Sequence, residues 1–227
     1  MRGKFITFEG GEGTGKSTQA AMLALRLESL GLSVLLTREP GGSPGAEIIR
    51  HVLLSGAAKP FGPDVEAMLF AAARDDHVQC TILPALNSGK WVICDRFADS
   101  TRVYQGILGQ VDQRLIKSLE RVSIGNLAPD LTVILDVAVE VGLERVKLRR
   151  GEAKPDRFEA ESLEFHRKLR EAYLSIAAEE PDRCVVIDAG TAKEVVAREI
   201  WNAVGARLDP MTFPVDGERR ATEVGAS

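Results

Sequence analysis

The sequence predicts an α/β fold in which a five-stranded parallel sheet is flanked by helices. Five short, mostly apolar runs are predicted strands, at residues 4–9, 33–37, 91–94, 131–135 and 184–188. Unbroken apolar runs are typical of parallel strands buried on both faces. Helical patterns lie between them, at residues 16–30, 45–55, 64–88, 112–124, 139–149, 161–179 and 191–208. This alternation of strands and helices indicates a doubly wound sheet.

One domain accounts for most of the chain. Its 227 residues are long enough for one α/β domain with a full core, which we predict to span residues 1–208. Beyond that point two prolines and a glycine interrupt the pattern, and no helical period survives. Residues 209–227 are therefore predicted to form a loosely attached tail.

Composition and charge narrow the functional classes. A net charge of −4 argues against a general surface for duplex nucleic acid. The N-terminus leads directly into a strand and no apolar run approaches membrane-spanning length, so we expect neither a signal peptide nor a membrane partner. Three scattered cysteines without metal-binding spacing indicate a reduced, cytoplasmic setting: Cys80, Cys94 and Cys184.

The segment 10–17 (GGEGTGKS) matches the phosphate-loop pattern G-x-x-x-x-G-K-[ST] and lies between a predicted strand and a predicted helix. Glycines let backbone amides surround phosphate oxygens, and the following helix adds its positive dipole end. Lys16, expected to be exposed, supplies charge to the outer phosphates, and Ser17 offers a hydroxyl to Mg²⁺. The alternative is a glycine-rich turn with a chance lysine. The predicted triphosphate-binding residues are Gly10, Gly11, Glu12, Gly13, Thr14, Gly15, Lys16, Ser17 and Thr18.

Charged residues end several predicted strands: Glu9, the pairs Arg38-Glu39 and Asp95-Arg96, Asp136 and Asp188. Ligands of doubly wound sheets bind outside the carboxyl ends of the strands, so this edge is the predicted site. For Asp136 and Asp188 we favour the simpler roles of helix N-caps or turn residues.

Further segments follow the loop in order: residues 37–43 (TREPGGS), 70–74 (FAAAR), 95–106 (DRFADSTRVYQG), 149–152 (RRGE) and 156–159 (DRFE). Together with the loop they resemble the bacterial thymidylate kinase family over about residues 1–205. The resemblance implies a P-loop kinase fold with a mobile lid at about residues 149–157. It also implies phosphorylation of dTMP to dTDP by ATP with Mg²⁺, and a homodimer.

The pair Asp95-Arg96 places a carboxylate beside a guanidinium at a strand end. By resemblance Arg96 binds the acceptor phosphate, for which its bidentate fork is suited. Asp95 can hold Mg²⁺ together with Ser17, directly or through water. Glu9 can orient Mg²⁺, water or the acceptor phosphate, and we group it with Lys16 and Arg96 as catalytic. The plainer alternatives are a structural ion pair for Asp95-Arg96 and a strand-end role for Glu9.

Phe70 and Arg74 share a face of a predicted helix because they are four residues apart. By resemblance Phe70 stacks on a pyrimidine and Arg74 donates to its carbonyl edge; the alternative is an amphipathic helix with a core phenylalanine and a solvated arginine. Tyr104, by the same resemblance, lies against the sugar, where a 2′-hydroxyl would crowd it; the alternative is a half-buried aromatic. The acceptor-binding set is Arg38, Glu39, Arg50, Phe70, Arg74, Arg96, Ser100, Thr101, Tyr104 and Gln105.

Basic residues cluster between positions 144 and 157, around a Gly-x-x-x-Pro break. Such a charge run is usually a solvated helix face. By resemblance it is a lid that closes over ATP, excludes water and brings an arginine to the transferring phosphoryl group. We assign that catalytic role to Arg150 and ATP binding to Arg149 and Arg157. Two departures from the family pattern are a longer lid, with AKP at residues 153–155, and Ser43 in place of threonine.

Two other functions remain open. Another nucleoside monophosphate kinase would share the fold and the loop but would lack the combined run at 95–106. The other alternative is a nucleotide-dependent switch or binding module; a guanine-nucleotide switch would need an Asn-Lys-x-Asp base reader, and the sequence has none. Isolated histidines are expected to be structural or surface residues, and no general base is required if the acceptor phosphate is ionised: His51, His77 and His166.

Overall fold

The computed structural model describes residues 2–151, 158 and 160–212 of the chain. Its strands are β1 (Phe5–Gly10), β2 (Val34–Arg38), β3 (Trp91–Asp95), β4 (Leu131–Asp136) and β5 (Cys184–Asp188). Neighbouring strands all pair in parallel, in the order β2-β3-β1-β4-β5. The prediction of a five-stranded parallel sheet is therefore confirmed, with strand ends within one residue of those expected.

The α-helices of the described residues are α1 (Lys16–Ser29), α2 (Pro44–Leu54), α3 (Pro63–His77), α4 (Leu83–Asn87), α5 (Ala98–Thr101), α6 (Gln113–Ile124), α7 (Val139–Arg150), α8 (Leu163–Glu179) and α9 (Lys193–Leu208). A π-helical segment, Val78–Ile82, interrupts the predicted helix at 64–88. A second π-helical segment, Arg102–Leu108, follows α5 in a stretch that the sequence patterns do not predict as helical. Such segments often occur at functional sites, and the second one carries part of the predicted acceptor set.

Helices cover both faces of the sheet. Along β1 the side chains alternate, so that Ile6 and Phe8 pack with α1 and α9 while Phe5 packs with the π-helical segment Val78–Ile82 and α4. On β4, Ile134 belongs to a third cluster together with Tyr173 of α8. Because both faces are buried, the strands need apolar residues at successive positions, which is the pattern in the sequence.

The structure describes the three cysteines and the first residues after the last helix. Cys94 and Cys184 are buried and Cys80 is exposed, and all three are free thiols. Helix α9 ends at Leu208, and Pro210 is buried in a short 3₁₀ turn that follows. The rest of the predicted tail, 213–227, lies outside the described residues. Within the described ranges no helix is long and apolar enough to cross a membrane.

The two strand-end aspartates differ from each other. Asp188 is the turn residue that we expected, since its Oδ1 accepts a 2.8 Å hydrogen bond from the Gly190 amide. Asp136 is not a cap: Arg170 of α8 donates to its two carboxylate oxygens at 2.7 and 2.8 Å. The N-cap of α7 is instead Ala138. The cap prediction for Asp136 was wrong because its partner lies 34 residues away, beyond any local pattern.

Candidate active site

The phosphate loop runs from the end of β1 to the first residue of α1. Gly15 has a left-handed backbone conformation with φ 92° immediately before the helix. Gly13 has φ 70°, and a Cβ atom there would lie 2.0 Å from the carbonyl oxygen of Gly142. Only glycine therefore fits at this close approach between the loop and α7. The geometry is that of an amide-lined turn at a helix N-terminus, which binds anions.

Lys16 is buried rather than exposed, so that part of the prediction was wrong. Its Nζ folds back over the loop and donates to the carbonyl oxygens of Gly10 at 3.2 Å and Gly11 at 2.7 Å. Burial, reinforced by the nearby charge of Arg96, lowers the pKa of the Lys16 ammonium to about 8. Because burial removes the ammonium from water, its N–H groups donate hydrogen bonds to the loop carbonyls instead.

The two predicted metal residues lie together. Ser17 Oγ donates a short hydrogen bond to Asp95 Oδ2, which joins the start of α1 to the end of β3. Both residues border an open cavity with the loop residues Gly13, Gly15 and Thr18. A hydroxyl and a carboxylate are hard oxygen donors of the kind that Mg²⁺ takes alongside phosphate oxygens. The residues present therefore fit a magnesium ion held jointly with a bound triphosphate.

Arg96 pairs with the phosphate loop and not with its neighbour Asp95. Its Nη2 donates to Glu12 Oε1 at 2.6 Å, with both side chains largely buried. Its Nη1 contacts Gly10 O at 3.3 Å, Ser100 Oγ at 3.3 Å and Tyr173 Oη at 3.2 Å. The backbone of Arg96 has φ 69°, which is uncommon for residues other than glycine. In this conformation the Arg96 side chain points toward the phosphate loop.

Glu9 occupies an interior position. Its carboxylate is fully buried and accepts hydrogen bonds from the amides of Phe97 (2.7 Å) and Ser100 (3.3 Å), from Ser100 Oγ (2.7 Å) and from Tyr173 Oη (3.0 Å). Burial, together with the charge of Asp99, raises its pKa to about 7, partly offset by Arg96. These contacts make Glu9 the anchor of the turn after β3, with its oxygens directed at protein donors.

A cavity of about 230 Å³ adjoins the loop on the side of β2 and β3. Its walls include every residue that we predicted to bind the acceptor: Arg38, Glu39, Arg50, Phe70, Arg74, Arg96, Ser100, Thr101, Tyr104 and Gln105. Seven different elements and loops contribute these side chains. These residues are far apart in the sequence. They meet in one cavity because the parallel sheet places the carboxyl ends of its strands at the same edge.

The α3 pair Phe70 and Arg74 reverses the pattern expected of an ordinary amphipathic helix. Phe70 is only partly buried, whereas Arg74 is 2% exposed. Arg74 Nε donates to Glu39 Oε2 at 2.8 Å, and its Nη2 donates to Phe97 O at 3.2 Å and Thr101 Oγ1 at 2.9 Å. Its Nη1 is buried and has no hydrogen-bond partner among the described residues. A cavity-lining guanidinium therefore retains one unused donor.

Tyr104 lies between the cavity and the loop. Its hydroxyl donates to Glu12 Oε1 at 2.9 Å, and its ring lies 5.3 Å from the Arg96 guanidinium carbon. Phe158 packs edge-on against the Tyr104 ring with centroids 5.0 Å apart. Phe158 also lines the cavity; we did not single it out, although it belongs to the segment at 156–159.

Arg38, Glu39 and Arg50 form the rim near β2. Arg38 Nη2 lies 2.9 Å from Glu47 Oε1, and both side chains are exposed. Arg50 Nη1 donates to Pro40 O at 2.5 Å. Glu39, by contrast, is buried and accepts from Arg74 and from His77. The three residues thus share the cavity but differ in their surroundings.

A second cavity, of about 300 Å³, lies on the other side of the loop. It is bordered by loop and α1 residues, by α7 and by the segment after β5: Gly13, Thr14, Gly15, Thr18, Gln19, Arg145, Val146, Arg149, Ala189, Thr191, Lys193 and Val196. Arg145, which donates to Ala189 O at 2.9 Å, and Thr191 were missed as site residues. No local motif marks them, because they meet the loop only through the fold.

The lid arginines are only partly described. Arg149 is exposed at the end of α7 and borders the second cavity as well as the space over Lys16 and Ser17. Arg150 is half-buried and lines neither of these spaces in the described part of the chain. Arg157 and the segment 153–155 lie outside the described residues. Of the two lid arginines that the structure describes, Arg149 is the one that borders the loop.

Tyr173 of α8 is a further residue that the sequence analysis missed. Its hydroxyl contacts Glu9, Ser100 and Arg96, and burial raises its pKa well above the usual range. It lies within an ordinary helical pattern, 164 residues from Glu9, so no sequence signal identifies it.

Comparisons with known proteins agree with this geometry. The family model described as thymidylate kinase matches residues 8–200. Thymidylate kinase of Nitrobacter winogradskyi is 64% identical over 207 residues, which cover 91% of this chain and 90% of that protein. The enzyme of Bradyrhizobium diazoefficiens is 62% identical over 209 residues, 92% of each chain. The crystal structure of Ehrlichia chaffeensis thymidylate kinase is similar with a TM-score of 0.71 and 33% identity, covering 90% of this chain and all of that one.

Proposed function

The chain belongs to the thymidylate kinase family, and we infer that it transfers the γ-phosphoryl group of ATP to dTMP, with ADP and dTDP as products. The family resemblance found in the sequence is confirmed by these comparisons. One structural observation carries the substrate assignment: a cavity beside the phosphate loop is lined by Phe70, by Arg74, whose buried Nη1 has no partner among the described residues, and by Arg96. These groups match a pyrimidine face, a carbonyl oxygen and a phosphate.

At the donor side we propose that the loop amides and Lys16 hold the β- and γ-phosphates of ATP. The Lys16 ammonium already lies over the loop, so phosphate oxygens can replace the carbonyls of Gly10 and Gly11 as its acceptors. Ser17 and Asp95 would hold Mg²⁺, which neutralises phosphate charge when bound. Arg149, Arg145 and Thr191 border the cavity that suits the rest of the nucleotide.

At the acceptor side we propose that Phe70 stacks on the thymine ring and that Arg74 Nη1 donates to a base carbonyl. Tyr104 faces the sugar, and Arg96 binds the phosphate in place of part of its contact with Glu12. Arg38, Glu39, Arg50, Ser100, Thr101 and Gln105 complete the walls. An unpaired buried donor favours a carbonyl and disfavours an amino group, because the latter leaves the donor unsatisfied.

The chemistry then consists mainly of positioning and charge stabilisation. An ionised acceptor phosphate needs no general base. Arg96 and Lys16 stabilise the charge between the two phosphates, and we propose that the lid adds Arg150 at the transferring group, with Arg149 and Arg157 on ATP. The buried contacts of Glu9 support a revised role, in which it positions the turn that carries Arg96 and Ser100.

Several further proposals accompany the activity. We propose one domain over residues 1–208 and a homodimer, which exposed apolar side chains on α2, α3 and α6 support: Ile48, Val52, Met68 and Val122. We also propose a cytoplasmic enzyme with neither nucleic acid nor membrane as a partner, in line with a net charge of −4 and free thiols. Light scattering of the purified chain tests the dimer, since a monomeric mass at micromolar concentration would contradict it.

The activity is tested by coupled measurement of ADP release with ATP, Mg²⁺ and a panel of dTMP, dUMP, dCMP, AMP and GMP. We expect dTMP to be the preferred acceptor. dUMP should be a few-fold weaker, because the lost methyl group is worth about 0.8 kcal/mol of burial. Faster phosphorylation of AMP or GMP than of dTMP would overturn the assignment.

A further inference from the structure

His77, the last residue of α3, is a buried titratable side chain for which the proposed reaction has no use. It is 0% exposed and lies between β2 and the loop that follows it. Its Nδ1 lies 3.1 Å from Glu39 Oε1, and its Nε2 lies 2.8 Å from Thr37 Oγ1. A carboxylate is an acceptor only, so Nδ1 carries the proton in this arrangement.

Glu39 connects this histidine to the base cavity. Its Oε1 accepts from His77, and its Oε2 accepts from Arg74 Nε at 2.8 Å. Both donors come from α3 and are three residues apart, so they reach the same carboxylate from one helix face. Arg74 Nη2 is held separately by Phe97 O and Thr101 Oγ1. The contacts at Nε and Nη2 together fix the plane of the guanidinium and the direction of its unused Nη1, and the Nε contact with Glu39 is the one that His77 adjoins.

The loop after β2 keeps the imidazole in place. Gly42 has φ 88°, and a Cβ atom there would lie 2.4 Å from His77 Nε2 and 2.5 Å from Thr37 Oγ1. The backbone at Gly42 thus lies close to the edge of the ring that carries Nε2. A ring confined in this way can hold Glu39 in one rotamer.

We propose that His77 is a positioning residue for base recognition, acting through Glu39 to orient the Nη1 donor of Arg74. The inference rests on the proposed dTMP kinase activity. Loss of the His77–Glu39 hydrogen bond lets the carboxylate turn, releases Arg74 Nε and weakens binding of the base carbonyl. The phosphoryl-transfer groups Lys16 and Arg96 remain untouched, so binding of dTMP changes and the chemical step does not.

Two substitutions at this position separate the roles of the two ring nitrogens. The amide nitrogen of Asn lies near the place of His Nδ1, so His77→Asn keeps the donor to Glu39. The longer Gln places its amide nearer the place of Nε2, so His77→Gln keeps the Thr37 contact instead. We expect His77→Gln to raise KM for dTMP about 10-fold and to leave kcat and KM for ATP within about twofold. His77→Asn should stay within about threefold of wild type in every parameter.

A selectivity measurement and a double-mutant cycle complete the kinetic test. The ratio of kcat/KM for dTMP to that for dCMP should fall in His77→Gln, because only thymine has the carbonyl at the edge where cytosine has an amino group. In a Glu39→Ala background the His77→Gln change should add less than about twofold, since the route through Glu39 is already broken. Equal KM values for the Asn and Gln variants, a change confined to kcat, or additive effects in the cycle would each overturn the proposal.

If the variants at position 77 fail to fold, NMR of protein that keeps His77 still tests the proposal. The chain has three histidines, so the imidazole nitrogen signals can be assigned by NMR with variants at His51 and His166. The proposal requires a protonated Nδ1 on His77, and a bare Nδ1 would overturn it. A wild-type enzyme that does not phosphorylate dTMP would overturn the proposed function instead, which keeps the two failures distinct.

Discussion

The guanidinium of Arg96 lies 2.6 Å from the carboxylate of Glu12, joining the residue after β3 to the phosphate loop. The two residues are 84 positions apart in sequence. Tyr104 donates to the same Glu12 oxygen, so the proposed phosphate and sugar contacts share one anion. The nearby charges of Arg96 and Lys16 hold the pKa of Glu12 below its usual range, against the opposing effect of burial. This shared carboxylate joins the phosphate loop to two residues that line the cavity beside β2 and β3.

The first prediction concerns Arg96→Lys. One ammonium cannot reproduce both the Nη2 contact with Glu12 and the Nη1 contacts with Gly10, Ser100 and Tyr173. We expect kcat/KM for dTMP to fall by about 10²-fold or more, as measured by steady-state kinetics. The matched control is Arg167→Lys, which changes an exposed ion pair with Glu140 and should leave activity unchanged. An Arg96→Lys enzyme within threefold of wild type would contradict the assignment.

The second prediction separates the lid arginines. Arg149 borders the loop in the described structure, so Arg149→Ala should mainly raise KM for ATP. Arg150→Ala should lower kcat on the order of 10²-fold with little change in ATP binding, because an arginine that arrives on closure meets transition-state charge. Lysine at position 150 should rescue poorly, since it lacks the fork. If the kcat loss follows Arg149→Ala instead, the two roles are exchanged.

The third prediction concerns Tyr104. Tyr104→Phe removes the hydroxyl that bonds Glu12 and should cost about 1 kcal/mol of stability, with dTMP turnover largely kept. Tyr104→Ala removes the ring that we propose faces the sugar, and it should narrow the preference for dTMP over its ribose counterpart. Competition kinetics with both nucleotides measure this preference. Equal discrimination by wild type and Tyr104→Ala would show that another group recognises the sugar.

The fourth prediction uses the buried carboxyl of Glu9, whose pKa is raised from 4.5 to about 7. The folded state therefore binds this proton more tightly than the unfolded state, and stability from this group is lost as pH rises from about 4.5 through 7. Glu9→Gln stays neutral and can still accept from the Phe97 amide. The melting temperature of Glu9→Gln minus that of wild type should therefore increase by roughly 5 °C from pH 5 to pH 8.

The control for this series is Glu144→Gln, an exposed change on α7. Its melting curve should follow that of wild type at every pH. A difference between Glu9→Gln and wild type that stays flat, or that shrinks as pH rises, would show that Glu9 is ionised throughout this range in the folded protein.

Local sequence patterns predicted the elements well because their causes are local. The apolar runs reproduce the strands within one residue, and the phosphate loop lies at the predicted junction of β1 and α1. The pattern failed at Arg102–Leu108, where a π-helical segment begins after a four-residue helix. Helical periodicity at 3.6 residues does not describe such a segment, so the pattern could not reveal it.

The acceptor residues illustrate the second limit. Their identities were available from the ordered segments, but their surroundings were not. A solvated Arg74 was the alternative to its place in the base pocket, and Lys16 was expected to be exposed; both side chains are buried. Their partners lie on other elements: Glu39 and Thr101 for Arg74, and loop carbonyls for Lys16.

The sequence by itself determined the sheet, the phosphate loop and the family, and it singled out ten residues that line one cavity. These follow from apolar periodicity, glycine chemistry and short ordered motifs, all of which act over a few residues. Only the tertiary structure decided which charges pair and which donors stay unused. It placed Arg96 on Glu12 rather than on Asp95, made Glu9 an interior anchor and enclosed His77 behind Glu39. Parallel strands bring distant carboxyl ends to one edge, and burial there makes every polar group depend on partners that no local pattern specifies.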